Sequence, residues 1–390
     1  MVLSAKDIRW LSAMVATVGF GQSALLALVP IIVARTGLDA PAIGAVAFAG
    51  AMTFLVGAPL WGQRSQGLRV RFRVLAALMI VGQLLFLATL ATPGLPGARA
   101  LGLLMLSRII YSAGASGLTP HAQATVANAV GPARRPAALA RLGAGLGMGR
   151  ILGSLVTLPG AAGLWPVLTA LTLAPLTLLA APDVQERAPS TRQTIPLRQL
   201  LSAVGPLLAT GFILTLGFGQ IQMTLGLFLQ AWFGMDAHAA ARWAGLAYAL
   251  TAVVMIAVQL RLAPRPGGAM RHMRLGLALF ALGSAVMLAP LFPALMAGAL
   301  LAGAGVAMAT PAYTASLVGR VPAGQQTAAA GWLASAHVLG QGAGALTGGL
   351  MFALWPGAPL LFCAAAGLIL AMALHRFVGS PPGEAMDAGE

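Results

Sequence analysis

Gly19-Phe20-Gly21-Gln22 and Gly217-Phe218-Gly219-Gln220 are the same four residues written in two places, each inside a long apolar run. Each run closes in the same kind of loop, Gly37-Leu38-Asp39-Ala40 after the first and Gly234-Met235-Asp236-Ala237 after the second. Leu118-Thr119-Pro120 is echoed by Ala309-Thr310-Pro311, and Leu164-Trp165-Pro166 by Leu354-Trp355-Pro356. The copies lie roughly half a chain apart throughout, so the sequence reads as two parallel versions of one half.

The composition says what kind of half this is. The chain is 59% hydrophobic and 8% charged, whereas a soluble domain carries about 25% charged residues. Its apolar runs reach about 20 residues, enough to cross a ~30 Å hydrocarbon core as helices. Twelve such runs are predicted: 9–34, 42–62, 73–92, 99–121, 137–160, 163–181, 203–231, 241–261, 274–292, 293–318, 327–354 and 357–376. Strand alternation is absent, and the abundant Gly and Ala suit helices packed backbone to backbone in a bilayer. The expectation is an all-α membrane protein of twelve transmembrane helices. A six-helix half over 1–181 and another over 203–379 would be joined by a polar linker over 182–202, with a disordered tail at 380–390. Parallel repeats in a membrane chain are the pattern of carriers that alternate access around a midplane site.

The net charge of +15 raises nucleic acid as a partner, and its placement rejects it. A nucleic-acid footprint is one basic face of a soluble domain. Here Lys6, Arg9, Arg64, Arg69, Arg71, Arg73, Arg134, Arg135, Arg187, Arg192, Arg198, Arg261, Arg265, Arg271, Arg274, Arg320 and Arg376 fall on one side of the predicted membrane, and Arg35, Arg99 and Arg242 on the other. That asymmetry puts both termini in the cytoplasm of a multi-pass inner-membrane protein. Cys363 is the sole cysteine, which excludes an internal disulfide and a cysteine metal cluster. No cofactor or metal is implied, and a monomer is expected. The first apolar run is too long for the core of a signal peptide and belongs to the repeat, so it reads as a retained helix.

Three motifs carry a family resemblance over nearly the whole chain. After the second run stands Gly62-Gln63-Arg64-Ser65-Gln66-Gly67-Leu68-Arg69-Val70-Arg71-Phe72-Arg73. In the fourth run, Arg108-Ile109-Ile110-Tyr111-Ser112-Ala113-Gly114 places an Arg before small residues, and Pro132-Ala133-Arg134-Arg135-Pro136-Ala137 follows that run. In the fifth, Gly145, Gly149 and Gly153 form one stripe, repeated by Gly340, Gly344 and Gly348 in the eleventh. Together these resemble the major facilitator superfamily, and most closely its twelve-helix drug/proton antiporter type, which includes bacterial metabolite and siderophore exporters. The chain departs from that pattern in three places. Gln66 stands where the family has the Asp of a latch between the halves, Tyr111-Ser112 replaces Gln-Gly, and Gly153-Ser154 replaces Gly-Pro. The resemblance implies that the first and seventh helices line a central cavity and that protons supply the energy.

All eight acidic residues lie outside the apolar runs, yet Arg108 and Arg150 lie deep within them, each about nine or ten residues from the outer end. A charge at that depth costs at least ~2.5–3.5 kcal/mol, so each must face water or a partner. With no acid in the spans, the missing negative charge reads as the solute, which an Arg fork holds through two bonds. Gln22 and Gln220 take repeat-equivalent places, and Tyr111, Gln222, Tyr313 and Gln341 are further candidate binding residues. His337 is the candidate proton carrier and His121 the other histidine near a span, since imidazole titrates near neutrality. Zinc-hydrolase motifs, phosphate loops and Ser/His/Asp sets are absent from the spans, so an enzyme is not expected. The resulting expectation is a secondary transporter that exports a small anionic or polycarboxylate metabolite, such as a carboxylate siderophore, by proton-coupled rocking of two halves. The alternatives are a proton-driven multidrug exporter, disfavoured by the missing acid, and an importer of an organic anion.

Overall fold

The computed structural model describes residues 4–62, 68–130, 135–160, 163–180, 197–262, 268–322 and 325–377. Among these residues are twelve α-helices and no strands. In the first half they are α1 (Ala5–Thr36), α2 (Ala40–Gly62), α3 (Leu68–Ala91), α4 (Gly97–Ala129), α5 (Arg135–Ser154) and α6 (Leu164–Leu173). The second half has α7 (Leu197–Phe233), α8 (Ala237–Leu262), α9 (Ala269–Val286), α10 (Phe292–Gly319), α11 (Gln326–Leu354) and α12 (Ala358–Phe377). Seven of them, α1–α4, α7, α8 and α10, are long and apolar enough by themselves to cross a membrane, and α6 and α12 contain shorter apolar segments.

The boundaries differ from expectation where backbone chemistry interrupts the apolar pattern. Instead of running to 160, α5 ends at Ser154 and passes through a 3-10 turn at Leu155–Thr157. Pro159 has no N–H to continue a helix, and Gly160 turns the chain at φ +69°. The predicted sixth helix narrows to a 3-10 segment at Ala174–Ala180, where Pro175 removes another donor. The helix expected over 274–292 is α9, which starts and stops about five residues earlier. The first residues of α7, from Leu197, occupy ground expected to be linker. The rest of that linker, the tail and Gln66 lie outside the described residues.

The repeated Gly-x-Asp-Ala loop has a direct physical role. Gly37 (φ +67°) and Gly234 (φ +61°) close α1 and α7 in the left-handed region, which costs glycine nothing. The aspartate then caps the next helix. Asp39 Oδ1 accepts the Ala42 N–H at 2.9 Å. Asp236 Oδ1 accepts those of Ala239 at 2.9 Å and His238 at 2.8 Å. These bonds, that from Ala239 first, hold the Asp236 carboxyl below the usual carboxylate range.

The glycine stripes set the packing. A Cβ added at Gly145, Gly149 or Gly153 would collide with the backbone carbonyl oxygens of Ser12, Ala16 and Phe20 in turn. Thus α5 lies on α1 with no side chain between them. The same seam joins α11 to α7: Gly340 stands over Phe212, Gly344 over the Leu216 carbonyl, and a Cβ added at Gly348 would lie 3.0 Å from Gln220 Cα. Within a bilayer, helices associate through close packing of this kind, with little hydrophobic driving force. Contacts of the Cα–H to carbonyl type contribute about 0.5–1 kcal/mol each.

These seams fix the internal register, and it is not the register of the repeated motif. Ser12, Ala16 and Phe20 match Phe212, Leu216 and Gln220. Gly19 faces the Leu146 carbonyl as Gly219 faces that of Gln341. The packing partner of Gln22 is therefore Gln222, and Gln220 answers to Phe20. Pairing Gln22 with Gln220 is corrected by two residues, because carbonyl contact rather than motif likeness decides which turns are equivalent.

Between the halves, close contacts run from the end opposite the N-terminus to mid-helix, where Gly342 of α11 packs on Ala51 of α2. Gly44 of α2 fits against the Ala345 carbonyl and Gly349 of α11 against that of Ala40. Gly245 of α8 meets the Ser154 carbonyl, and the Thr157 hydroxyl donates to the Ala241 carbonyl at 2.9 Å. Gly226 of α7 packs on Pro30 of α1. At the other end Val56 and Leu60 are exposed beside a cavity of about 520 Å³ lined by Met52, Thr53, Gly57, Trp61 and Ala113. The described contacts close the bundle at the end opposite the N-terminus, and the last turns of α2 border this cavity.

The stripe can be tested by comparing glycines. Gly147 has nothing within contact of a Cβ, whereas Gly149 is pressed on Ala16. Gly149→Ala should therefore destabilise by about 1–3 kcal/mol through overpacking, while Gly147→Ala should be neutral or stabilise by up to about 1 kcal/mol. Thermal unfolding of the purified protein in one detergent checks this; equal shifts for the two would refute the register.

Candidate functional site

One turn of α1, Gly19–Gln22, gathers polar groups of the first half. A Cβ at Gly19 would lie 3.2 Å from Arg150 Cγ, so the glycine opens a path for the aliphatic stem of Arg150 across α1. Gly21 gives way to the Tyr111 hydroxyl, with Gln83 Nε2 3.9 Å from the same point. Arg150 and Tyr111 therefore meet the same turn of α1 from two sides. The earlier end of α5 leaves Arg150 one turn from its helix terminus, but its neighbours match those of the α4 cluster in depth.

The two arginines are in opposite situations. Arg108 is 4% exposed. Its Nη2 donates to Gln83 Oε1 at 2.9 Å, and its guanidinium lies 4.8 Å from the Phe86 ring centre and 5.0 Å from that of Tyr111. Aromatic faces attract a cation by about 0.5–1 kcal/mol, and by 2 or more when desolvated. Gln83 and Phe86, both on α3, thus stand in for the absent acid; their i, i+3 spacing was the sequence signal for them, and sequence reasoning passed over both. The Nε of Arg108 has no partner among the described residues. The structure does not present Arg108 to open space. Arg150, by contrast, is exposed, and its guanidinium has no hydrogen bond or ion pair among the described residues.

In the second half the candidates divide into three groups. Gln220 is 1% exposed, and its Nε2 donates to Thr347 Oγ1 at 3.0 Å. It joins α7 to α11 and does not face the cavity. Gln341 is exposed and donates through Nε2 to Gln222 Oε1 at 3.0 Å, while the Gln222 backbone carbonyl accepts the Tyr248 hydroxyl at 2.6 Å. One turn along α11 from Gln341, His337 Nε2 shares a 2.7 Å hydrogen bond with the buried Tyr313 hydroxyl, and Thr310 lies 3.4 Å from that hydroxyl. His121 is far from these groups in the fold, buried at the inner part of α4, with Nδ1 3.3 Å from Arg71 Nη1. Arg71, expected to be a loop charge, is 1% exposed and belongs to the α3–α4 contact.

Twelve helices in two matched halves, a polar centre and a cavity at one end define a membrane carrier. The Major Facilitator Superfamily model matches residues 11–270, and the chain belongs to that family as a multi-pass membrane protein. Solved structures share the fold at low identity. The nucleoside transporter NupG (D323A mutant) has a TM-score of 0.73 at 14% identity, covering 95% of this chain and 99% of that one. A bacterial homologue of the human lysosomal transporter Spinster, inward-facing and unoccupied, has a TM-score of 0.69 at 16% identity, covering 95% of each chain. The human organic anion transporter MFSD10 (TETRAN) has a TM-score of 0.65 at 19% identity, covering 94% of this chain and 98% of that one. Human solute carrier family 67 member A1 is 37% identical over 134 residues, which are 33% of this chain and 30% of that protein. These neighbours are transporters, not enzymes, and the fold expected from the sequence is the fold observed.

The role of Gln83 is open to test. Gln83→Leu should leave Arg108 without its charge-assisted bond and lower stability by about 1.5–3 kcal/mol. Gln83→Glu, which supplies an acid at the same place, should retain or raise stability. Melting temperatures in detergent separate the two outcomes.

Proposed function

We propose that this secondary transporter exports a small anionic or polycarboxylate metabolite across the inner membrane, with both termini in the cytoplasm and protons as the driving ion. A carboxylate siderophore belongs to that solute class. The observation that carries the reading is Arg150, an exposed residue of α5 with no acid in any apolar run to neutralise it. Its planar fork suits a carboxylate, and the fold shared with a human organic anion transporter is compatible with such a solute. A drug exporter for lipophilic cations would place an acid where this chain has arginine.

In this reading Arg150 and Gln22 contact the solute from the first half, with Gln222 and Gln341 opposite. Arg108 stands behind Tyr111 as a fixed positive charge, and Gln220 braces α7 on α11. Tyr313 and His337 form the proton-handling pair, because imidazole is the side chain suited to proton transfer and its Nε2 is hydrogen-bonded to the phenol at 2.7 Å. The seal at the far end and the cavity at the near end correspond to a state that loads from the cytoplasm. Rocking of the halves reverses the two ends.

Binding of organic anions and of lipophilic cations to purified protein tests the reading. Arg150→Lys keeps charge but loses the fork and should weaken anion binding. Arg150→Ala should weaken it by about tenfold or more, the loss of a charge-assisted bond worth ~1.5–3 kcal/mol. Strong cation binding with no effect of Arg150→Ala would favour the multidrug alternative. For coupling, His337→Ala should remove the pH dependence of transport in proteoliposomes near the histidine range; unchanged pH dependence would exclude this pair.

A further inference from the structure

The two seams are equivalent in backbone but not in the polar groups they carry, and the difference falls at the proposed site. This difference, whose reading rests on the anion proposal above, begins at Gly19 and Gly219, which face Leu146 and Gln341 in matching fashion. One turn further along, Gln22 and Gln222 are equivalent. In the second half the Gln222 amide is engaged by Gln341 at 3.0 Å. In the first half the position corresponding to Gln341 is Leu146, which offers no hydrogen bond. Gln22 is exposed, and its amide has no partner among the described residues. The position corresponding to Arg150 in the second half is Ala345, which is buried against α2.

Gln22 is exposed midway along a helix that touches α4 and α5 of its own half and α7 and α8 of the other. The stem of Arg150 passes over Gly19, one turn from Gln22 on the same helix. Gln22 and the stem of Arg150 thus lie one turn apart on the α1 seam, each without a side-chain hydrogen bond among the described residues, while the matching seam is closed by a glutamine pair.

We propose that Gln22, left free by the leucine at position 146, is a specificity-determining residue: its amide N–H and the Arg150 guanidinium together hold one carboxylate group of the solute. The Gln222–Gln341 pair satisfies itself and makes the other half of the site neutral. Donor pairing of this kind discriminates strongly, because a solute that leaves buried donors unmatched forfeits their hydrogen bonds.

Two measurements on the full chain test the proposal. The first is independent of the natural solute. Cys363 is fully buried, so a cysteine introduced as Gln22→Cys can be read against a quiet background with charged methanethiosulfonate reagents. The sulfonate reagent should react about tenfold faster than the trimethylammonium reagent, as a local positive potential concentrates anions. That preference should disappear when Arg150→Gln is added, and Gln222→Cys should show none. No reaction at position 22, or the same preference at position 222, overturns the proposal.

The second uses citrate as a polycarboxylate probe. Leu146→Gln rebuilds in the first half the pair seen in the second and should weaken citrate binding about tenfold. Leu146→Met keeps the volume without an amide and should leave it unchanged. Loss with both Leu146 variants means packing alone, and overturns the proposal. Citrate binding that depends on Arg150 but ignores Leu146→Gln overturns it while the anion reading stands. Binding that ignores Arg150 overturns both.

Discussion

Backbone-to-backbone contact along two glycine seams is the constraint on which the rest of this structure depends. In water, apolar side chains would drive the helices together; in lipid that drive is largely lost, and close approach must replace it. Gly145, Gly149 and Gly153 let α5 rest on the carbonyls of α1, and Gly340, Gly344 and Gly348 do the same for α11 on α7. The polar positions on these two seams take their neighbours from those registers. Arg150 crosses α1 where Gly19 leaves room, and Gln341 reaches Gln222 because Gly219 sits beneath it.

The second constraint is the management of positive charge without buried acids. The protein treats its two deep arginines differently. Arg108 is dissolved within the first half, by a glutamine oxygen and two ring faces, at a distance from open space. Arg150 is left exposed. One guanidinium is therefore held by the fold, and the other has no hydrogen bond or ion pair among the described residues. The second half carries no comparable cation on its seam. The site is built asymmetrically on a symmetric frame, with charge on one wall and paired amides with a tyrosine–histidine bond on the other.

The closed end shows how the halves seal without salt bridges between them among the described residues. Gly44, Gly349, Gly245 and Gly226 place backbone against backbone or against Pro30, and the Thr157 hydroxyl adds one directional bond across the gap. Small residues and a single hydroxyl give a seal that excludes water yet releases without separating charges. The break after α5 makes this contact possible, because the 3-10 turn at Leu155–Thr157 brings Thr157 against Ala241.

The sequence alone determined the membrane class, the twelve helices, the two-half repeat and the stripes, because hydropathy over about 20 residues and glycine every fourth residue are local signals. It also exposed the essential anomaly, arginine without acid. Helix ends were less legible, since Pro159 and Pro175 act on hydrogen bonds within a run that stays apolar. What only the tertiary structure decided was pairing across helices. The motif repeat aligned Gln22 with Gln220, but carbonyl contacts align it with Gln222 and send Gln220 to Thr347. Gln83 and Phe86 gained meaning only when α3 was laid beside Arg108. A side chain's periodicity tells which face of its own helix it occupies. Which neighbour that face meets depends on register and rotation between helices, and those are set by distant glycines rather than by the residue itself.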